Sequence, residues 1–459
     1  MERMDFHYLL TFFNHYFTFY IIFPLVILIG TYLSIRLKFI QFTQLKLSFL
    51  SLIDKNKEAK GSISRFEAIA SVLAGNFGTG NISGMAIALT TGGPGALVWM
   101  WIMVFFASII QLASTYLGAY YRIQNSQGEF VGGPMYYLKK GIKSPVLACL
   151  FSTFTIFGAL TVGNLAQVSS IILPLEKAGF NSFYCSLLLS FFVAIVILGG
   201  LKRFASLAAM IVPFKAGLYL LTALVILVIN HDKLLLSIQI MFEDAFNFSS
   251  FLGGLGGGFA FKTLTTGFDR GLFATDAGTG IVPILQAGAR SQNPLIDGIS
   301  TLIAPLLVMI VCTVTGLVLI VTGIYQDVTL KSTNMVTHAF KMGLNSEIGS
   351  YIVIICIILF AYTTLLAWSY CGEKAIEFLL GSKSVKIFRF LFISFIPLSS
   401  FLHIDLIWTL SDIAITLMLF INLIAITFLS NEVIIAFKNF KHPCLVNKIL
   451  DTEELLQKK

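Results

Sequence analysis

The sequence predicts an all-α membrane protein of eleven transmembrane helices, an N-terminal helix followed by a core of two five-helix halves. Three observations predict it. Of 459 residues, 57% are hydrophobic and only 12% charged, and the mean hydropathy of +0.87 means more apolar surface than a soluble fold can bury. Apolar runs of about 18–25 residues recur along the chain, as a ~30 Å hydrocarbon core requires of helices rising 1.5 Å per residue. The alternating ten-residue segments of a β-barrel are not seen. Finally, the loops on one side of the predicted membrane carry 24 of the 31 Lys and Arg residues and the other side five, with Lys215 and Lys262 left inside spans.

The runs fall at about 17–35, 66–90, 95–121, 146–174, 181–200, 206–229, 251–275, 296–324, 349–371, 387–402 and 404–430. The first is expected to be a retained span, because it lacks the basic flank and small-residue cleavage site of a signal peptide. An odd number of spans puts the termini on opposite faces, and the positive-inside rule then places the N-terminus outside and the C-terminus in the cytoplasm, across the inner cell membrane. The chain divides into an N-terminal helix with a basic cytoplasmic loop (1–65), a first repeat (66–229), a second (230–430) and a charged cytoplasmic tail (431–459). The net charge of +8 lies in the loops beside the lipid bilayer, which argues for lipid and against nucleic acid as its partner. The six cysteines form no CxxC pair and have no clustered histidines, so no cofactor, disulfide framework or transition-metal site is expected. Oligomeric state is left open.

Two spans are abnormal. That at 66–90 contains AGNFGTGNISG (Ala74 to Gly84), and that at 251–275 contains GGLGGGF (Gly253 to Phe259) and leads into DRGLFATDAGTG (Asp269 to Gly280). Each glycine costs ~1 kcal/mol relative to alanine inside a helix, so an unwound segment is expected in both. Broken backbone at membrane depth needs protein or a hydrated cavity to satisfy it. With the first span set aside, the breaks fall in the first and sixth of ten helices, the pattern of an inverted-repeat carrier with its site at the midplane.

The stretches GNFGTGNISG (75–84), GGPGALVWMW (92–101), GGPMYYL (132–138), GGLKRFASLAAMIVPF (199–214), RGLFATDAGTG (270–280) and FAYTTLLAWSYCGEKA (360–375) resemble the alanine/glycine:cation symporters, also called sodium:alanine symporters. The resemblance implies a LeuT-type fold and secondary active symport of a small neutral amino acid, alanine or glycine, with Na+ as coupling ion. A zwitterion needs donors for its carboxylate and acceptors for its ammonium. Freed N–H groups at Gly78, Thr79, Gly80 and Asn81, at a half-helix N-terminus, suit the carboxylate. Carbonyls around Gly257 to Phe261 suit the ammonium, and Trp368 is a candidate pocket wall. By the same resemblance, carbonyls of Ala74 and Phe77 with the hydroxyls of Thr363 and Thr364 are the expected sodium ligands; the plainer alternative is that both threonines bond back to their own helix. Asp269, Arg270 and Asp276, near the expected cytoplasmic end of their span, are candidates for a gate. Gln111 and Asn164 read as interhelical hydrogen-bond partners.

The chain also departs from the family pattern. It has Thr275-Asp276-Ala277-Gly278 where the family usually has NEAG, Gly280-Ile281-Val282-Pro283 for GSAP, Ala304-Pro305 for Asp-Thr, and Lys215 for Met. A lysine at a span centre costs ~2.5–3.5 kcal/mol and marks ion pathways, and desolvation favours the neutral amine. In some proton-coupled transporters of this fold a lysine on the fifth core helix stands in place of sodium, and Lys215 is on that helix. An H+-coupled carrier using Lys215 is therefore the alternative to sodium symport, with a snorkelling or helix-pairing lysine as the bland reading. A channel fits less well, since two interruptions in opposite halves suit alternating access better than a pore. No catalytic cluster points to an enzyme.

Overall fold

The structure, a computed structural model, describes residues 6–53, 61–246, 257–291, 293–327, 329–438 and 440. The first helix, α1, runs as Phe6–Phe17, a π turn at Thr18–Ile22, and Phe23–Arg36. It lies against the second core helix closely enough that a Cβ on Gly30 would come within 2.7 Å of the Phe106 Cβ. Two successive left-handed residues, Lys38 and Phe39, then turn the chain into a short helix, α2 (Leu45–Ile53).

The core begins with α3, which comes in halves: α3a (Arg65–Asn76), opened by a capping box of Ser64 and Glu67, and α3b (Ser83–Gly92). There follow α4 (Ala96–Tyr120), a two-stranded hairpin (β1 Ile123–Gln124, β2 Phe130–Val131) and the short α5 (Pro134–Lys140). Next, α6 is Pro145–Leu160, a π turn at Thr161–Leu165, and Ala166–Lys177; α7 (Ser182–Ile197) and α8 (Gly200–Ile229) complete the first five. A further helix, α9, spans His231–Ala245. The second five are α10, in halves α10a (Gly257–Thr275) and α10b (Ile281–Gln286), α11 (Pro294–Ser300 and Ile303–Val321), α13 (Glu347–Leu380), α14 (Ser384–Leu398) and α15 (Ile404–Lys438), with α12 (Thr333–Gly343) between α11 and α13.

Among the described residues eight helices are long and apolar enough to cross a membrane: α1, α4, α6, α8, α11, α13, α14 with its 3-10 extension, and α15. The other three expected spans fall on α7, which is apolar but has 16 residues, and on the interrupted α3 and α10. The sequence reading missed α9 and α12. Both are amphipathic, so neither shows the unbroken apolar run that marks a span. They lie as caps on the bundle: Asp244 of α9 accepts the Gly95 N–H at 2.8 Å, and Thr333 of α12 donates to Ser170 O at 3.1 Å.

The second break is not where glycine content placed it. Gly253 to Gly256 lie outside the described residues, and α10a runs unbroken from Gly257 to Thr275. The interruption is at Asp276–Gly280, where Asp276, Gly278 and Gly280 have φ of +49°, +82° and +97°. Left-handed backbone cannot continue a right-handed helix. The sign of φ at three alternate residues broke the helix, whereas a run of glycines only weakens one.

The polar residues read as interhelical partners act as such. Gln111 of α4 donates to Thr301 O at 2.8 Å, and Asn164 of α6 to Phe392 O of α14 at 2.7 Å.

Candidate functional site

At the first break α3a ends at Asn76, Gly78 is extended, and a single 3-10 turn (Thr79–Asn81) precedes α3b. Three side chains hold this shape. Asn81 Nδ2 donates to Asn76 O at 2.8 Å, Ser83 Oγ to Thr79 O at 2.7 Å, and both the N–H and the hydroxyl of Thr79 donate to Gln167 Oε1, at 2.9 and 3.0 Å. Gln167, two residues beyond the π turn of α6, is held in turn by Val162 O at 3.0 Å. A π turn rotates the residues after it relative to the preceding helix face, a device common at functional sites. The backbone here has no room for side chains: a Cβ on Gly78 would come within 3.0 Å of Gln167 Oε1 and 3.1 Å of Thr364 Oγ1, and one on Gly80 within 2.6 Å of the Phe273 ring. Gly84 is the opposite case. It is buried, yet a methyl there would meet no atom within 4 Å, so open space lies beside the first turn of α3b.

The four groups expected around sodium meet in two pairs. Thr364 Oγ1 lies 2.8 Å from Ala74 O, while it also reaches Phe360 O of its own helix at 3.0 Å, and Thr363 Oγ1 is 3.1 Å from Leu359 O. Lys215 joins the other two, Phe77 and Thr363. Fully buried on α8, it donates to Phe77 O at 2.9 Å and to Thr363 Oγ1, with its Nζ 4.6 Å from the centre of the Phe360 ring. Among the described residues no carboxylate pairs with it. Two of the four groups expected around sodium thus hold the Lys215 amino group. Its Nζ fills the space between Phe77 O and Thr363 Oγ1 that a sodium ion bound to those two oxygens would take.

The second break faces α15 and α13. Asn422 of α15 donates to Gly278 O at 2.6 Å and to Ser114 Oγ at 3.1 Å, and Tyr137 of α5 donates to Asn422 Oδ1. The freed carbonyl is thereby satisfied by a fully buried side chain. Asp276 is buried in this break, and its Oδ1 has no hydrogen-bond partner among the described residues. Trp368 is fully buried in a slot made by Gly158 and Gly163, with its Nε1 likewise unpartnered. Above Gly80, Phe273 packs on Trp408 with ring centres 4.8 Å apart, and Arg270 lies 5.4 Å from each ring while pairing with Asp412 of α15.

Three expectations are corrected. Gly257 opens α10a rather than a break, and Phe261 packs against His15 and Phe19 of α1, so neither belongs to the site. The acceptors for an ammonium lie instead at Asp276–Gly280. Asp269 and Arg270 are not at the basic face: they line a cavity of about 270 Å³ with Asn14, His15, Thr91 and Asp412, at the ends of α1, α3b and α15 nearest the N-terminal face. One-dimensional spacing put them on the wrong side because the break follows them. Of the four N–H groups expected for a carboxylate, that of Thr79 is taken by Gln167, and that of Asn81 by Gly78 O. The sequence reading missed Gln167, Asn422 and Tyr137, single polar residues in apolar surroundings whose partners are in other helices. Lys262 is exposed at the cavity mouth.

The sodium:alanine symporter family profile matches residues 3–449. The chain belongs to the sodium:alanine symporter family. Such a protein is a membrane carrier and not an enzyme. The symporter is 36% identical over 431 residues to the "Sodium/alanine symporter AgcS" of Methanococcus maripaludis (91% of this chain, 93% of that one). It is 32% identical over 423 residues to the "Probable sodium/glutamine symporter GlnT" of Bacillus subtilis (91% and 87%). Among solved structures, an Eremococcus coleocola manganese transporter superposes with a TM-score of 0.56 at 13% identity, over 77% of this chain and 76% of that one. The symporter's fold is of that LeuT-like kind.

Proposed function

We propose that this symporter carries a small neutral amino acid inward by alternating access, and that protonation of Lys215 takes the part of a coupling sodium ion. The single observation that carries the coupling is the buried Lys215 Nζ bonded to Phe77 O and Thr363 Oγ1. Protonated, Lys215 ties the end of α3a to α13 and neutralises the carbonyl dipoles there. Giving its proton to water on the inner side removes the charge and lets α3a part from α13. For substrate, the N–H groups of Gly78 and Gly80 before α3b offer a carboxylate site favoured by the helix dipole. Asp276 and the carbonyls of the second break offer an ammonium site, with Trp368 as wall. The named substrates of AgcS and GlnT support an amino acid; the crowding at Gly78 and Gly80 supports a small one. The two halves, 66–229 and 230–430, are the parts that rock, and the Arg270–Asp412 pair with Phe273 and Trp408 is the lid on the outer side.

Sodium coupling is the second reading, favoured by the relatives' names and by Thr364 reaching Ala74 O. Uptake of labelled alanine into proteoliposomes separates them. Uptake that follows an imposed pH gradient without sodium, and is lost in Lys215→Met, supports the lysine. Uptake that requires a sodium gradient and survives that substitution overturns it, and absence of counterflow overturns the carrier.

A further inference from the structure

A groove of about 420 Å³ opens on the outer flank of the bundle, and no residue of the broken helices lines it. It is lined by Phe42 and Leu45, by Trp101 and Phe105 of α4, and by Leu306 and Met309 of α11, and almost all its surface is apolar. Its lining on α11 runs from Leu302 to Val314, about 18 Å at 1.5 Å per residue. That is slightly more than half of a ~30 Å hydrocarbon core, the length of one extended acyl chain. One end is closed where Trp101 Nε1 donates to Thr313 Oγ1 at 2.9 Å. The other end lies at the basic face, where α2 is seated on α11 through Ser48 Oγ and Ser300 O at 3.1 Å.

That end carries the features of a headgroup site. Lys38 and Lys46 are exposed and flank the lining residues Gln41 to Leu45 in the chain. Gln41 itself is buried and pinned by its Nε2 to Ser34 Oγ at 2.8 Å, which leaves its Oε1 as an acceptor without a partner among the described residues. Pro305, where the chain departs from its family's Asp-Thr, lines the groove. A threonine at that position would place a hydroxyl on a wall that is now apolar.

We infer that this groove binds one acyl chain of an anionic phospholipid, with its phosphate against Lys38 and Lys46. Basic residues beside the bilayer attract anionic headgroups, and the groove gives that attraction a fixed address between α2, α4 and α11. The bound lipid fills the space between the N-terminal accessory segment and the core.

The test uses detergent-purified full-length protein and equal amounts of phosphatidylglycerol and phosphatidylcholine, read by native mass spectrometry. The expected result is a monomer retaining phosphatidylglycerol at least fivefold over phosphatidylcholine. That preference disappears in Lys38→Glu/Lys46→Glu, and retention itself falls in Leu306→Trp, while alanine uptake by each variant stays within twofold. A measurement needing no groove variant runs beside it: chain-brominated phosphatidylglycerol should quench the fluorescence assigned to Trp101, by difference from Trp101→Phe, more than brominated phosphatidylcholine does. Equal retention and equal quenching by the two lipids overturn the inference. So does a dimer that Leu306→Trp dissociates, which would mean the groove seats a second copy.

Discussion

Lys215 shows what a single residue reveals in sequence and what it does not. Its oddity was legible, since a lysine inside an apolar run is expensive. Its role was not, because the partners Phe77 and Thr363 lie 138 and 148 positions away and only packing of α8 between α3 and α13 brings them together. Lys215→Met is expected to abolish proton-driven uptake, and Lys215→Arg to lower it more than tenfold, since a guanidinium holds its proton throughout the cycle. Gln167 gives the converse case, a residue with no oddity in sequence and two bonds to the break. Gln167→Leu leaves the Thr79 N–H and hydroxyl without their acceptor, a loss of ~1–3 kcal/mol per buried group. Because both groups lie in the break, the expected outcome is a rise of about tenfold or more in KM for alanine, beside a fall in melting temperature short of unfolding. Uptake kinetics beside a thermal melt would check it, and a collapse of both together would make Gln167 merely structural.

At the scale of helices, the first break was readable and the second was displaced by some twenty residues. In the first, the glycines occupy places where a Cβ would meet Gln167, Thr364 or Phe273, so composition and geometry coincide. In the second, the break depends on left-handed φ at Asp276, Gly278 and Gly280, which composition registers only faintly beside the richer glycine run before it. The glycines also set opposite predictions. Gly163→Ala puts a methyl onto the buried Trp368 ring, whose slot leaves it nowhere to move, so the overpacking cost of ~1–3 kcal/mol is expected in full and uptake should be lost. Gly84→Ala meets only open space, and alanine is ~1 kcal/mol better in a helix, so the protein should be as stable or more so. If that space receives the substrate side chain, Gly84→Val should keep alanine uptake while reducing that of larger amino acids severalfold. Competition of unlabelled amino acids against labelled alanine measures it; an unchanged competition series would place the space outside the substrate path.

Over the whole molecule, the division of charge predicts a direction that no single helix carries. The helix order leaves the α1, α3b, α10a and α15 ends with Arg270 and Asp412 on one face, and leaves the hairpin, α2 and the start of α11 on the other. There a parallel bridge joins the two half-helices: Ser62 and Ile63 donate to Gly288 O at 2.9 and 3.2 Å, and Arg290 N–H returns to Ile63 O at 2.8 Å. The face with the bridge is also the face with most of the lysines and arginines, which the positive-inside rule assigns to the cytoplasm. On the proposed reading, the bridge would move α3a and α10b together at an inner gate, and Arg270 and Asp412 would close an outer one. In a variant lacking the natural cysteines, Lys177→Cys in α6 and Ser126→Cys in the β1–β2 turn lie on opposite faces, and both positions are exposed. A membrane-impermeant maleimide added to intact cells should label Lys177→Cys and reach Ser126→Cys only after permeabilisation. The reverse pattern would turn the protein over, making the Arg270–Asp412 pair the inner gate. Turned over, the protein would still carry substrate in the direction of the proton gradient, with the inner and outer gates exchanged.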